Sequence, residues 1–131
     1  MATILLVEDD LNECMLYQRE LGEQGHSVVV AHDGAEALAV CEGAMPDLVI
    51  MDISMPGMDG IDVMSRMLCR NNKLPIILNT AYASYKEDFR AWAADAYVVK
   101  SADLTELKRT VAHVLETRRQ GQEPQPVGAK E

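Results

Sequence analysis

The sequence predicts a doubly wound α/β fold, with a parallel five-stranded sheet and five helices divided between its faces. Three observations carry this. Short β-branched runs alternate with longer stretches of helical apolar period. The strand runs are apolar nearly throughout, as strands buried on both faces are. Each strand is followed by a helix, and such a crossover returns the chain to the same edge of the sheet, which enforces parallel pairing and right-handed connections.

Thr3 to Val7 is the first strand candidate, a near-continuous Ile/Leu/Val run. Asn12 to Glu23 follows as a helix, with Cys14, Tyr17 and Leu21 at helical spacing and Gly25 closing it. Ser27 to Ala31 is the second strand. Asp33 and Gly34 open an Ala-rich helix with Ala37, Leu38 and Cys41 on one face, ending near Gly43 and Pro46. Asp47 to Met51 is the third strand, and a loop with Pro56 and Gly57 leads to a helix from about Gly60 to Arg70, with Met64, Met67 and Leu68 inward. Pro75 opens the fourth strand, Ile76 to Asn79. Ser84 and Glu87 have capping-box spacing for a fourth helix that carries Phe89 and Trp92. Ala96 to Val99 is the fifth strand. Asp103 and Glu106 make a similar cap for a last helix whose Leu104, Leu107, Val111 and Val114 share a face.

The 131 residues suffice for one core, placed at 1–119. Residues 120–131, QGQEPQPVGAKE, read as a flexible tail or linker stump. The formal net charge of −9 excludes a general nucleic-acid binder and electrostatic docking on anionic lipid. The short apolar run Ile4 to Val7 ends in Glu8, Asp9 and Asp10, so it is not a signal peptide, and no apolar stretch is long enough to span a bilayer. Cys14, Cys41 and Cys69 are odd in number and widely spaced, which fits reduced, mostly packed thiols in a cytoplasmic protein.

Polar residues collect just beyond the C-terminal ends of four strands: Glu8 and Asp9, Asp52, Thr80, and Lys100. Ligands of doubly wound sheets bind outside those ends, near the point where strand order reverses. Three clustered carboxylates repel one another, and a hard cation such as Mg²⁺ relieves the repulsion. A carboxylate beside Mg²⁺, flanked by a lysine and a threonine, has the surroundings needed to attack phosphorus, and Asp52 stands at the most central strand end.

Val7-Glu8-Asp9-Asp10, Asp52 within MDISMPGMDG, Thr80-Ala81 and Tyr97-Val98-Val99-Lys100 together resemble the receiver domain of two-component response regulators, from about residue 3 to residue 118. The resemblance implies a flavodoxin-like sheet in the order 2-1-3-4-5. It further implies that Asp52 accepts a phosphoryl group from a histidine kinase or histidine phosphotransfer protein. Asp9 is then a direct ligand of Mg²⁺ (or Mn²⁺), Glu8 acts through metal-bound water, and the backbone carbonyl of Ser54 is the third protein ligand. Lys100 holds a phosphoryl oxygen, Thr80 swings toward the phosphoryl group, and Tyr97 follows from outward to buried. The face formed by the fourth helix, fifth strand and last helix then changes shape for an output partner or a homodimer. Such a module modifies only itself and turns over no separate metabolite.

Two positions depart from the family pattern. Ser101 follows Lys100 where a proline, often cis, is usual; a cis bond without proline costs about 2.5–4 kcal/mol, so a trans bond is expected. Ala93 replaces the usual glycine before the fifth strand. Ser54 and Tyr82 occupy places linked in the family to phosphoryl lifetime. Other residues have plainer readings: Asp10 is a helix cap, Asp59 and Gly60 form a turn and helix start, and His26, His32 and His113 show no ligand spacing. The methionines, Met55 and Met58 beside the acceptor loop among them, read as packing. Phe89 and Trp92 are either core or a partner patch. The main alternative function is a phosphorylation-independent interaction module on the same fold. A flavin carrier is disfavoured because Glu8-Asp9-Asp10 would repel phosphate. A dehalogenase-type phosphatase is disfavoured because Ser54 stands where its second aspartate belongs.

Overall fold

The computed structural model describes residues 2–52, 60–81 and 94–119. Their elements run β1 (Thr3–Val7), α1 (Leu11–Gly22), β2 (Ser27–Ala31), α2 (Gly34–Gly43), β3 (Leu48–Met51), α3 (Gly60–Arg70), β4 (Ile76–Thr80), β5 (Ala96–Val99) and α4 (Thr105–Arg119). All strands pair in parallel, in the order β2-β1-β3-β4-β5. The sequence predicts five helices, and four lie among the described residues. The predicted helix opening at Ser84 lies outside them, with Phe89 and Trp92, as does the tail 120–131.

Side-chain alternation along the strands divides the core in two. Leu5, Val7, Val49, Met51, Ile76, Leu78 and Tyr97 face a layer containing Ala37 and Cys41 of α2 and Met64 and Met67 of α3. Ile4, Leu6, Leu48, Ile50, Ile77, Ala96 and Val98 face Cys14, Tyr17 and Leu21 of α1 and Leu107, Val111 and Val114 of α4. β1, β3 and β4 are therefore covered on both sides, which explains their unbroken apolar runs. β2 lies at the edge, with an alternating exposed and half-buried pattern.

Helix ends follow local chemistry. Asp10 caps α1, its Oδ1 accepting from the Glu13 amide at 3.1 Å. Asp33 caps α2 through the Glu36 amide at 2.8 Å, while Glu36 Oε1 accepts at 2.8 Å from the amide of His32, the residue before the cap. Before α4 the arrangement differs from the predicted Asp103–Glu106 box. Asp103 Oδ1 accepts from both the amide and the hydroxyl of Thr105, at 2.9 and 2.6 Å, because the hydroxyl offers a second donor two residues on. No cis peptide occurs among the described residues, so the Lys100–Ser101 bond is trans. Gly25, at φ +95°, supplies the left-handed turn between α1 and β2.

Candidate functional site

Strand order reverses between β1 and β3, and the residue after each of these strands is acidic. The β1–β3 register ends at the pair Val7–Met51, so Glu8 and Asp52 leave the sheet side by side. The ladder holds both: Glu8 N donates to Ala31 O at 3.0 Å, and Asp52 N to Val7 O at 3.1 Å. At the far side, Lys100 N donates to Thr80 O at 2.8 Å, one step past the Thr80–Val99 pair. Glu8, Asp52 and Lys100 are thus each the first residue beyond a strand, on backbone that sheet bonds still fix, and Thr80 is the last residue of β4.

β4 separates Lys100's strand from Asp52's, and the long lysine side chain crosses its end. Lys100 Nζ lies 2.9 Å from Asp52 Oδ2, 2.9 Å from Glu8 Oε1 and 2.8 Å from Glu13 Oε1. The ammonium donates a hydrogen bond to Asp52 Oδ2, and the Glu8 and Glu13 carboxylates pair with it by charge. Burial alone would favour the neutral amine, but Glu13, Glu8 and Asp52 outweigh it and hold the proton well above the usual lysine range. Glu8 is 2% exposed, and burial pushes its carboxyl up to about 7 against the opposing pull of Lys100 and the Asp10 amide.

Asp9 completes the cluster from the solvent side. Glu8, Asp9 and Asp52 each present an oxygen within 4.8 Å of the others. Three hard oxygen donors at this spacing suit Mg²⁺ or a similar ion, and the like charges supply a reason to bind one. Thr80 is fully buried at the end of β4, between the strands of Asp52 and Lys100. Tyr97 is also buried, in the same layer as Leu78 and Ala94; its place in this packing puts it inward where an outward resting position was expected.

The structure thus brings together Glu8, Asp9, Asp52 and Lys100, with Thr80 at the intervening strand end. Ser54, Met55, Met58, Asp59, Tyr82 and Ala93 lie outside the described residues. Asp10 is a cap, as expected, and its amide donates to Glu8 Oε2 at 3.2 Å. Cys14 packs beneath the cluster, its Sγ donating to Glu8 O at 3.4 Å; burial, then the carboxylates of Glu8, Asp10, Glu13 and Asp9, push the thiol up to about 11. That is a structural thiol, not a nucleophile. His32 Nδ1 lies 3.3 Å from the same carbonyl. Sequence reasoning missed Glu13. The available signal was an acid three residues after a cap, on the first turn of the helix that rises from the acidic strand end.

Comparison with known proteins adds the family context. The model of the response regulator receiver domain matches residues 4–112. The transcriptional regulatory protein ZraR of Salmonella typhimurium is 35% identical over 120 residues, covering 87% of this chain and 27% of its own length. The chain spans about a quarter of the length of the curated relatives it matches first. Response regulator protein TrrA of Thermotoga maritima, solved in complex with Mg²⁺-BeF, superposes with TM-score 0.83 at 42% identity over 87% of this chain and 99% of that one. TrrA in complex with histidine kinase ThkA gives TM-score 0.82 at 43% identity, over 88% of this chain and 99% of that one.

Proposed function

From the premise that this chain belongs to the response regulator receiver family, we propose that Asp52 is the acceptor of a phosphoryl group in a two-component phosphorelay. The observation that carries this is the contact of Lys100 Nζ with Asp52 Oδ2 at 2.9 Å, beside oxygens of Glu8 and Asp9. The donor is a phosphohistidine of a histidine kinase or phosphotransfer protein. As the Asp52 carboxylate attacks, a phosphorus–oxygen bond forms, the phosphorus–nitrogen bond breaks, and the imidazole leaves. Lys100 orients the carboxylate beforehand and donates to a phosphoryl oxygen afterwards. The Thr80 hydroxyl turns to donate to another. Glu8, Asp9 and Asp52, with the Ser54 carbonyl, would hold Mg²⁺ (or Mn²⁺), which supplies positive charge against the phosphoryl oxygens.

Thr80 and Tyr97 form the switch: the hydroxyl turns toward the phosphoryl group, and the ring of Tyr97, which already packs inward, is held there by the space this leaves at the end of β4. The surface of β5 and α4, extended by the predicted helix near Ser84, then binds an output partner or a second copy. The domain acts in the cytoplasm and modifies only itself. Donor docking falls to α1, where Leu11 and Met15, four residues apart, are 65% and 68% exposed beside the acidic cluster.

The test is intact mass after incubation with acetyl phosphate, with and without Mg²⁺, on wild type and Asp52→Ala. A single phosphoryl adduct requiring both Mg²⁺ and Asp52 supports the reading. Folded wild-type protein that takes no adduct and binds no beryllofluoride would leave the phosphorylation-independent module standing in its place.

A further inference from the structure

The geometry points to Glu13 as a positioning residue that opposes phosphorylation: it is the third carboxylate paired with the Lys100 ammonium and must release it before a phosphoryl oxygen can bind there. This deepens the reading of Asp52 as acceptor and rests on it. Carboxylate oxygens of Asp52, Glu8 and Glu13 crowd Lys100 Nζ at 2.9, 2.9 and 2.8 Å, the first as a hydrogen bond and the other two as ion pairs. A phosphoryl oxygen that approaches Nζ competes with one of these three for space and for the ammonium's charge.

The three are not equally displaceable. Asp52 is the attachment point itself, so its own oxygen stays beside the new group. The Glu8 side chain is 2% exposed, sits on backbone held by the sheet, and accepts a hydrogen bond from the Asp10 amide besides its ion pair with Lys100. Glu13 differs in both respects. Its side chain is 34% exposed, and it projects from the first turn of α1, where rotation about its side-chain bonds carries the carboxylate into water. Rehydrating that carboxylate costs little, whereas stripping Glu8 from Lys100 would leave a charge buried without its partner. Glu13 is therefore the one that leaves.

Charge reinforces the competition. The phosphoryl group brings two negative charges to a site where Glu8, Asp9 and Glu13 already stand close. Alanine at position 13 removes both the competing acceptor and a like charge, and glutamine removes the charge alone. Through an effective dielectric between that of a protein surface and that of water, this corresponds to about three- to tenfold in affinity for a phosphoryl analogue.

The experiment is calorimetric titration of beryllofluoride into wild type, Glu13→Gln and Glu13→Ala at Mg²⁺ saturating for each, with melting temperature as the control for folding. The expected result is about three- to tenfold tighter beryllofluoride binding by both variants, with a larger gain for alanine, which cannot accept from Lys100 at all. A merely structural role would move the melting temperature and leave the affinity alone. Variants that bind within twofold of wild type, or more weakly, overturn the proposal. Wild type that binds no beryllofluoride in Mg²⁺ overturns the acceptor reading beneath it, so the two failures are distinct.

Discussion

Replacing Asp9 with asparagine is expected to stabilise the metal-free protein and to remove most of its response to Mg²⁺. Asp9 is exposed, and among the described residues its carboxylate has neither a hydrogen-bond nor an ion-pair partner, so the substitution breaks no favourable contact. It does remove two repulsions, since oxygens of Asp9, Glu8 and Asp52 lie within 4.8 Å of one another. At that separation and a water-like dielectric each unit-charge pair repels by about 0.9 kcal/mol, so removing two gives about 1–2 kcal/mol at low salt and at a pH above 7, where Glu8 is ionised. For a domain of this size that raises the melting temperature by about 3–8 °C. Asp52 offers no such gain, because the attraction of Lys100 at 2.9 Å is lost with the repulsion. The assay is urea denaturation of wild type and Asp9→Asn, in chelator and in millimolar Mg²⁺. Wild type gains stability with Mg²⁺ and closes the gap, since binding to the folded state alone stabilises by mass action. A variant less stable than wild type in chelator, or one that keeps the full Mg²⁺ response, would refute the electrostatic account of the cluster.

Two further outcomes test other parts of the molecule. Leu11→Glu with Met15→Glu should lower phosphotransfer from the cognate kinase by about tenfold or more, as loss of an interface anchor does, while labelling by acetyl phosphate is unchanged; equal losses from both donors would place the defect in the site and not in docking. Tyr17→Phe should cost about 1–3 kcal/mol by urea denaturation, because the Asn79 amide donates to the Tyr17 hydroxyl at 3.1 Å in a buried setting and would be left unpaired; a neutral result would mean that water or another group replaces the hydroxyl.

The period and composition of the chain determined the sheet, its parallel sense and the strand bounds, since buried apolar runs and helical spacing are properties of contiguous residues. Thr3–Val7, Ser27–Ala31 and Ala96–Val99 are legible in this way. So was the collection of Glu8, Asp9, Asp52, Thr80 and Lys100 at one end, because every parallel strand ends on the same side. The strand order is not written in periodicity and came instead from the family resemblance. Contacts between elements required the tertiary structure. Nothing local says that Glu13 on α1 meets Lys100 after β5, or that Tyr17 and Asn79 pair across the core; those distances depend on how helix and sheet pack. The inward place of Tyr97 is of the same kind, set by the layer against which β5 is pressed. Sequence thus determined which groups stand at the strand ends, and packing decided which of them share a proton donor, because side chains distant along the chain meet only once the layers close.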